Sequence, residues 1–332
     1  MSLDSLSFAK LDRFRQVGDT EFDECFSSLM KNESSKGAIH QLLGVKTITN
    51  VSLREELSNL GLESLIPFSR FNKTAWDFKK IKNGAVFFEK NKDNIFLMLG
   101  ILSLPYCYAA SKGALVLSKS RRIIDNPAKR LADTAWFVEQ VCKKGGFSDS
   151  GSGLLSCLQT RMTHSYVRFM FKHQFLEEES EMPINQEDMA GTFLSFSYIL
   201  TEGLKKIGIR VSLEEEESFL YLWSFISQQI GLDAQLLTQN TEKAHRLEEI
   251  IRVRQFKPSK HGQELSKSLY TFLEKESLKF GFPPALIKDL SAFLLGKKVS
   301  LCLGLPANEF SSIEKTIFKR FAWFRNVMEK VN

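Results

Sequence analysis

Five histidines are the residues whose types could carry cofactor chemistry: His40, His164, His173, His245 and His261. His245 lies beside Lys243 and Arg246, and His261 follows Pro258-Ser259 in a polar stretch, which marks both as solvated; His40 belongs to the N-terminal region. His164 stands inside Leu154 to Phe175, a segment rich in Leu, Met and Phe. A neutral imidazole on an apolar helix face is a common metal ligand. The chemistry it would support is that of haem iron, which needs one such ligand and no linear glycine code. Arg161 and Arg168 stand three residues before and four after His164, on or beside its face. Cations there could meet haem propionates through charge-assisted hydrogen bonds. The plainer reading is a satisfied core histidine with two arginines reaching to water, and periodicity alone favours it.

Other chemistry is thinly supported. The chain has no GxSxG elbow, no HExxH, no P-loop and no GxGxxG after a strand. Arg130 and Thr134 form an i, i+4 pair, which by itself is far more often an ordinary helix surface than a site.

Period-2 alternation of β-branched residues hardly occurs, and helical periodicity runs through the chain, so the fold class expected is all-α. Helices are expected near 20–31, 53–60, 73–89, 93–118 with a kink at Pro105, 127–144, 151–178, 185–207, 213–230, 242–256, 261–276, 284–296 and 307–328. Several ends are marked chemically. Asn126 with Pro127 is a cap and first-turn proline, Gly145-Gly146 a stop, and Ser212 with Glu215 a capping box. Asn185 caps a helix whose first turn holds Glu187 and Asp188, favourable at the positive end of the dipole. No flexible linker and no internal repeat is visible, so one continuous helical domain is expected, with residues 1–90 as a looser N-terminal lobe packed on a core of 91–332.

Composition narrows the function classes. Hydrophobic residues make up 43% and charged residues 25%, as in an ordinary globular protein. Phe is unusually frequent, at 28 against 4 Trp and 6 Tyr, which suits a thick apolar interior or a large apolar pocket. The net charge is +6, but bases alternate with acids and make no nucleic-acid stripe. Five cysteines without CxxC spacing suggest neither a disulfide framework nor a zinc knuckle and fit a reducing compartment. The N-terminus MSLDSLSFAKLDRFRQ is not a secretory signal, so a cytoplasmic protein is expected. Ile95 to Leu117 is about bilayer length but is interrupted by Pro105, the Tyr106-Cys107-Tyr108 cluster and Lys112, and reads as a buried helix pair rather than an integral span.

The segments GILSLPYCYAASKGALVLSKSRR from Gly100, AKRLADTAWFVEQVCKKGGF, RMTHSYVRFMFKH and MPINQEDMAGTFLSFSYILTEGLKKIG follow one another in an order and spacing that change the weighting. Across roughly residues 20–275 the chain resembles the catalytic domain shared by latex clearing protein, the bacterial rubber oxygenase, and the mycophenolic-acid-pathway oxygenase; PINQEDMAGT and RMTHSYVR are its specific parts. The resemblance implies a globin-like helical core with additional helices, a haem b, and cleavage of carbon–carbon double bonds of isoprenoid substrates with dioxygen. It implies that His164 is the axial iron ligand and that Arg130 and Thr134 are distal-side catalytic residues. Two positions depart from the family pattern. Asp133 stands where the rubber-cleaving enzymes carry a lysine that can cap the iron, and Ala114 where they carry an acidic base, so proton abstraction would lack its expected acceptor. Asp188 is retained as a group that could support a ligand from behind.

The function that follows is a haem-dependent oxygenase acting on an apolar unsaturated, isoprenoid or lipid-like substrate with dioxygen. The alternatives are a haem protein that senses or carries a ligand without turnover, and a haem-free helical interaction protein of the same fold.

Overall fold

The computed structural model describes residues 8–71, 73–119, 122–174, 181–279 and 283–306. Among them there is no strand, only an isolated bridge between Ala110 and Phe256, so the all-α expectation holds. The helices are α1 (Phe8–Arg15), α2 (Thr20–Leu29), α3 (Glu33–Gly44), α4 (Leu53–Asn59), α5 (Phe78–Met98), α6 (Leu104–Tyr108), α7 (Ser111–Lys119), α8 (Arg122–Asp125), α9 (Pro127–Cys142), α10 (Gly153–Gln174), α11 (Gln186–Phe196), α12 (Tyr198–Lys206), α13 (Leu213–Gln229), α14 (Thr241–Gln255), α15 (Lys260–Lys279), α16 (Pro284–Leu295) and α17 (Lys297–Cys302). The helix expected at 307–328 lies outside the described residues.

The chemically marked ends fall where expected. Lys129 N donates to Asn126 Oδ1 over 3.0 Å. Ser212 N donates to Glu215 Oε2 (2.9 Å) while Glu215 N donates to Ser212 Oγ (3.2 Å), closing the capping box. Gly145 takes φ +75° just after α9, a conformation open to glycine without a Cβ penalty. Two long helices expected from periodicity are divided. The chain leaves α5 through a π turn, Leu99–Ser103, before α6. Pro105 has no N–H to offer the Ile101 carbonyl four residues earlier, and the buried Ser291 hydroxyl donates to that carbonyl instead. The helix expected at 185–207 breaks at Ser197 (φ −116°, ψ −84°), two residues after Ser195, whose carbonyl accepts from the buried Ser103 hydroxyl over 2.7 Å.

The chain divides into two compact units. The first contains 1–89, 136–193 and 217–243, and the second 90–135, 194–216 and 244–332. The cuts fall within α5, α9, α11, α13 and α14, consistent with the lack of any linker composition. In the first unit, Phe22, Phe26, Leu42, Leu57, Leu158 and Met162 build a dry core between α2, α3, α4 and the N-terminal half of α10. Part of the phenylalanine excess is accounted for in the same unit, where Phe71, Phe147 and Phe225 meet edge to face at centroid distances of 4.7–6.3 Å. No helix among the described residues is long and apolar enough to cross a membrane, in line with the reading of Ile95 to Leu117.

Candidate functional site

His164, Arg161 and Arg168 lie on α10, in the first unit. His164 is half-buried and its Nδ1 is buried, so the accessibility the residue retains belongs to its other atoms. The two arginines do not reach to water, as the plainer sequence reading supposed. Arg161 Nη2 donates to Asp19 Oδ1 (2.8 Å), and its Nε donates to Asp19 Oδ2. The guanidinium is also held 4.8 Å from the ring centroids of both Phe22 and Phe68. Arg168 is 4% exposed and bidentate with Asp23, through Nε (2.7 Å) and Nη2 (2.8 Å), while its Nη1 donates to the Ile184 carbonyl (3.0 Å). Ser165 hydroxyl donates to the same Asp23 carboxylate. Each guanidinium read as a partner for propionates is therefore already matched to a carboxylate of α2 or its cap.

The PINQED segment completes this polar layer. Asn185 Oδ1 accepts from Asp188 N (2.9 Å), the N-cap expected from the sequence. Gln186 Nε2 donates to the carbonyls of Gly18 (2.7 Å) and Gly231 (2.9 Å), and its Oε1 accepts from Asp233 N (2.7 Å). Ile184 carries φ +48°, rare for a β-branched residue, in the conformation that presents its carbonyl to Arg168. Arg15, 4% exposed, is ringed by Glu181 (2.6 Å), Asp188 (3.0 Å) and the fully buried Glu187 (3.8 Å). Burial raises the Asp188 carboxyl above its ordinary range, outweighing Arg15, and does the same to Asp19 against Arg161. Asp188 thus works on Arg15 and its own cap.

Two glycines give these ion pairs room. A Cβ on Gly18 would stand 2.7 Å from Arg168 Cδ, and one on Gly231 would overlap Asp19 Oδ2. Gly231 also has φ +94°. Gly231→Ala should therefore destabilise the protein by about 3 kcal/mol, combining a left-handed penalty of about 1–2 kcal/mol with a displaced ion pair. Thermal unfolding checks this; an unshifted midpoint would contradict the packing described.

Arg130 and Thr134 belong to the second unit, on α9. Arg130 Nη1 donates to Thr134 Oγ1 (3.0 Å), and Thr134 Oγ1 donates to the Arg130 carbonyl (2.8 Å). The hydroxyl hydrogen is thereby engaged, and the threonine's service is to fix the guanidinium. Asp133 points elsewhere: it is 48% exposed and forms an i, i+4 pair with Lys129 at 3.8 Å, a solvated surface contact. Ala114 is fully buried in α7 and offers only a methyl.

Sequence reasoning missed two groups in this unit. Tyr108, fully buried, feels the Arg130 charge, which opposes the rise that burial imposes on its phenol. Tyr106, also buried, donates to Glu248, which accepts from Arg252 Nε over 2.8 Å. The signal was the Tyr106-Cys107-Tyr108 cluster, read only as an interruption of an apolar run. His245 is exposed and bonded to the Tyr198 hydroxyl (3.1 Å), His261 pairs with Ser118 (3.0 Å), and His40 is exposed.

Comparison with known proteins gives these residues a context. The rubber oxygenase of Streptomyces sp. (strain K30) is 22% identical over 180 residues, which are 53% of this chain; the match spans only 44% of that relative's length. The solved structure of latex clearing protein in its closed state has the same fold, with a TM-score of 0.74 over 95% of this chain and 84% of that one, at 19% identity. The sequence model of the family described as ER-bound oxygenase mpaB/B′/rubber oxygenase, catalytic domain, matches residues 93–327, well over half of the chain, so this protein belongs to that family.

Proposed function

We propose that the chain is a haem-dependent oxygenase that uses dioxygen to oxidise or cleave a carbon–carbon double bond of an apolar isoprenoid or lipid-like substrate, with His164 as iron ligand. The observation that carries this reading is family membership over residues 93–327, in a family described by its oxygenase catalytic domain. The donor set suits haem b. One imidazole is what such a group asks of the protein. His164, whose Nδ1 is buried, would offer its other ring nitrogen to the iron.

When bound, haem would supply an iron centre for dioxygen activation. The protein's share is orientation and charge. Arg130, locked by Thr134, would direct its remaining N–H donors at oxygen or substrate without reorganising during reaction. No carboxylate at Ala114 is available to take a proton, and among the described residues of the second unit the buried acids Glu216 and Glu248 are engaged, Glu216 by Lys205 (2.7 Å) and Glu248 by Tyr106 and Arg252. The reading includes a cytoplasmic location, which five cysteines without CxxC spacing support.

The test is a visible spectrum of the haem-reconstituted full chain, where a Soret band at one equivalent is expected and its absence would leave the haem-free interaction protein. Arg130→Ala should keep that band and lower oxygenase turnover by about 10²-fold, the scale of one lost oriented donor; unchanged turnover removes Arg130 from the active site.

A further inference from the structure

Asp19 and Asp23 lie upstream of residues 93–327, the span the family model matches, yet both reach the helix that carries His164. We propose that these two carboxylates are positioning residues for His164, acting through Arg161 and Arg168, so that the N-terminal helix α2 supplies part of the haem site; this rests on the reading of His164 as iron ligand.

The geometry is specific. Arg161 and Arg168 are seven residues apart, about 10 Å along the axis of α10 and within about 20° of one another around it. His164 lies between them in sequence and about 40–60° to one side. Two bidentate pairs at two heights on one face fix both the rotation and the axial position of a helix, where one pair would leave a pivot. Ser165, next to His164, adds a third attachment to Asp23. Asp19 and Asp23 are themselves joined, since Asp19 N donates to Asp23 Oδ2 over 3.1 Å. Gly18 and Gly231 leave space for this assembly where any side chain would push it apart. An imidazole bound to iron tolerates little change in ring direction, so fixing α10 fixes the ligand.

The experiment uses the haem-reconstituted full chain in two backgrounds, one with His164 intact and one with His164→Gly supplied with free imidazole, a ligand no longer tethered to α10. Asp23→Asn keeps the shape and one acceptor but removes the charge; far-UV circular dichroism confirms the fold. Should that variant not fold, Asp19→Asn replaces it, because Arg161 retains its two phenylalanine faces. With His164 present, haem transfer to an apoglobin scavenger is expected to accelerate about 10- to 100-fold, the range seen when partners behind a metal ligand are removed, with shifted g values in the ferric electron paramagnetic resonance spectrum. With imidazole in place of His164, the same substitution should leave haem retention unchanged. Equal losses in both backgrounds would assign Asp23 to holding the fold and overturn the proposal, as would no loss in either. If His164→Gly without imidazole retains haem like the wild type, the ligand assignment itself fails, an outcome separate from the other two.

Discussion

His164→Ala should bind no stoichiometric haem and should keep nearly all of its helical content. The first part follows because iron would lose its protein ligand, while His40 is exposed and His245 and His261 are bonded to the Tyr198 and Ser118 hydroxyls. The second follows because α10 is held by groups other than His164. Leu155, Leu158 and Met162 are at most 1% exposed on its core face, and Arg161, Ser165 and Arg168 grip α2 by ion pairs and hydrogen bonds. Truncating a half-buried imidazole removes little of that packing. Soret absorbance and far-UV circular dichroism on one sample decide it. A normal Soret band would place the ligand elsewhere, and loss of both signals would make His164 a core residue after all.

The largest stability effect should come from Arg15→Met. Arg15 holds Glu181, Glu187 and Asp188 together in a region where Glu187 is fully buried. Methionine fills much of the space but leaves carboxylates without their cation, a change that costs about 3–5 kcal/mol in buried settings. The loss should depend on pH in a defined direction. Asp188 already binds its proton more tightly in the folded than in the unfolded state, because burial outweighs Arg15. A carboxyl raised in this way contributes stability that is fully present below its unfolded value and is lost as pH rises through the folded one. Removing Arg15 raises Asp188 further, so the gap between variant and wild type should widen from mildly acid to neutral pH. Denaturant midpoints at both pH values measure this. A gap that stays constant, or narrows toward neutrality, would show that the cluster around Arg15 does not exist as described.

Local signals in the sequence were sufficient where the chemistry is local. Asn126-Pro127, Gly145 and the Ser212–Glu215 pair fix helix ends through bonds between residues at most four apart, and each is found in place. The same holds for the Asn185 cap. Helices α1 and α3 leave little periodic signal, because α1 has only eight residues and α3 begins with Glu-Ser-Ser-Lys-Gly, which carries no apolar stripe. Pro105 marks a disruption, but the Ser291 hydroxyl that bonds the Ile101 carbonyl within the π turn ahead of it is 190 positions away.

The site divides in the same manner. That His164 sits between two arginines is visible in RMTHSYVR, but their occupation is not, since Asp19 and Asp23 are more than 140 positions away. Gln186 illustrates the point. In PINQED it reads as an ordinary first-turn residue, and only the fold brings Gly18, Gly231 and Asp233 within its reach. The Arg130–Thr134 pair, by contrast, is an i, i+4 contact, and the sequence placed it on one helix face.

Oxygenase chemistry at a haem held by His164 is open to test by supplying the haem-loaded chain with a polyisoprene oligomer under ¹⁸O-labelled dioxygen and analysing the products by mass spectrometry. Cleavage of one double bond by one dioxygen yields two carbonyl groups and needs no other oxygen source. Dioxygen uptake matched to chain scission is expected, with label in both new carbonyls and with neither in His164→Ala. Haem-loaded wild-type protein that consumes no dioxygen with this oligomer or with unsaturated lipids, while binding cyanide or imidazole normally, would contradict it and identify a haem protein without turnover.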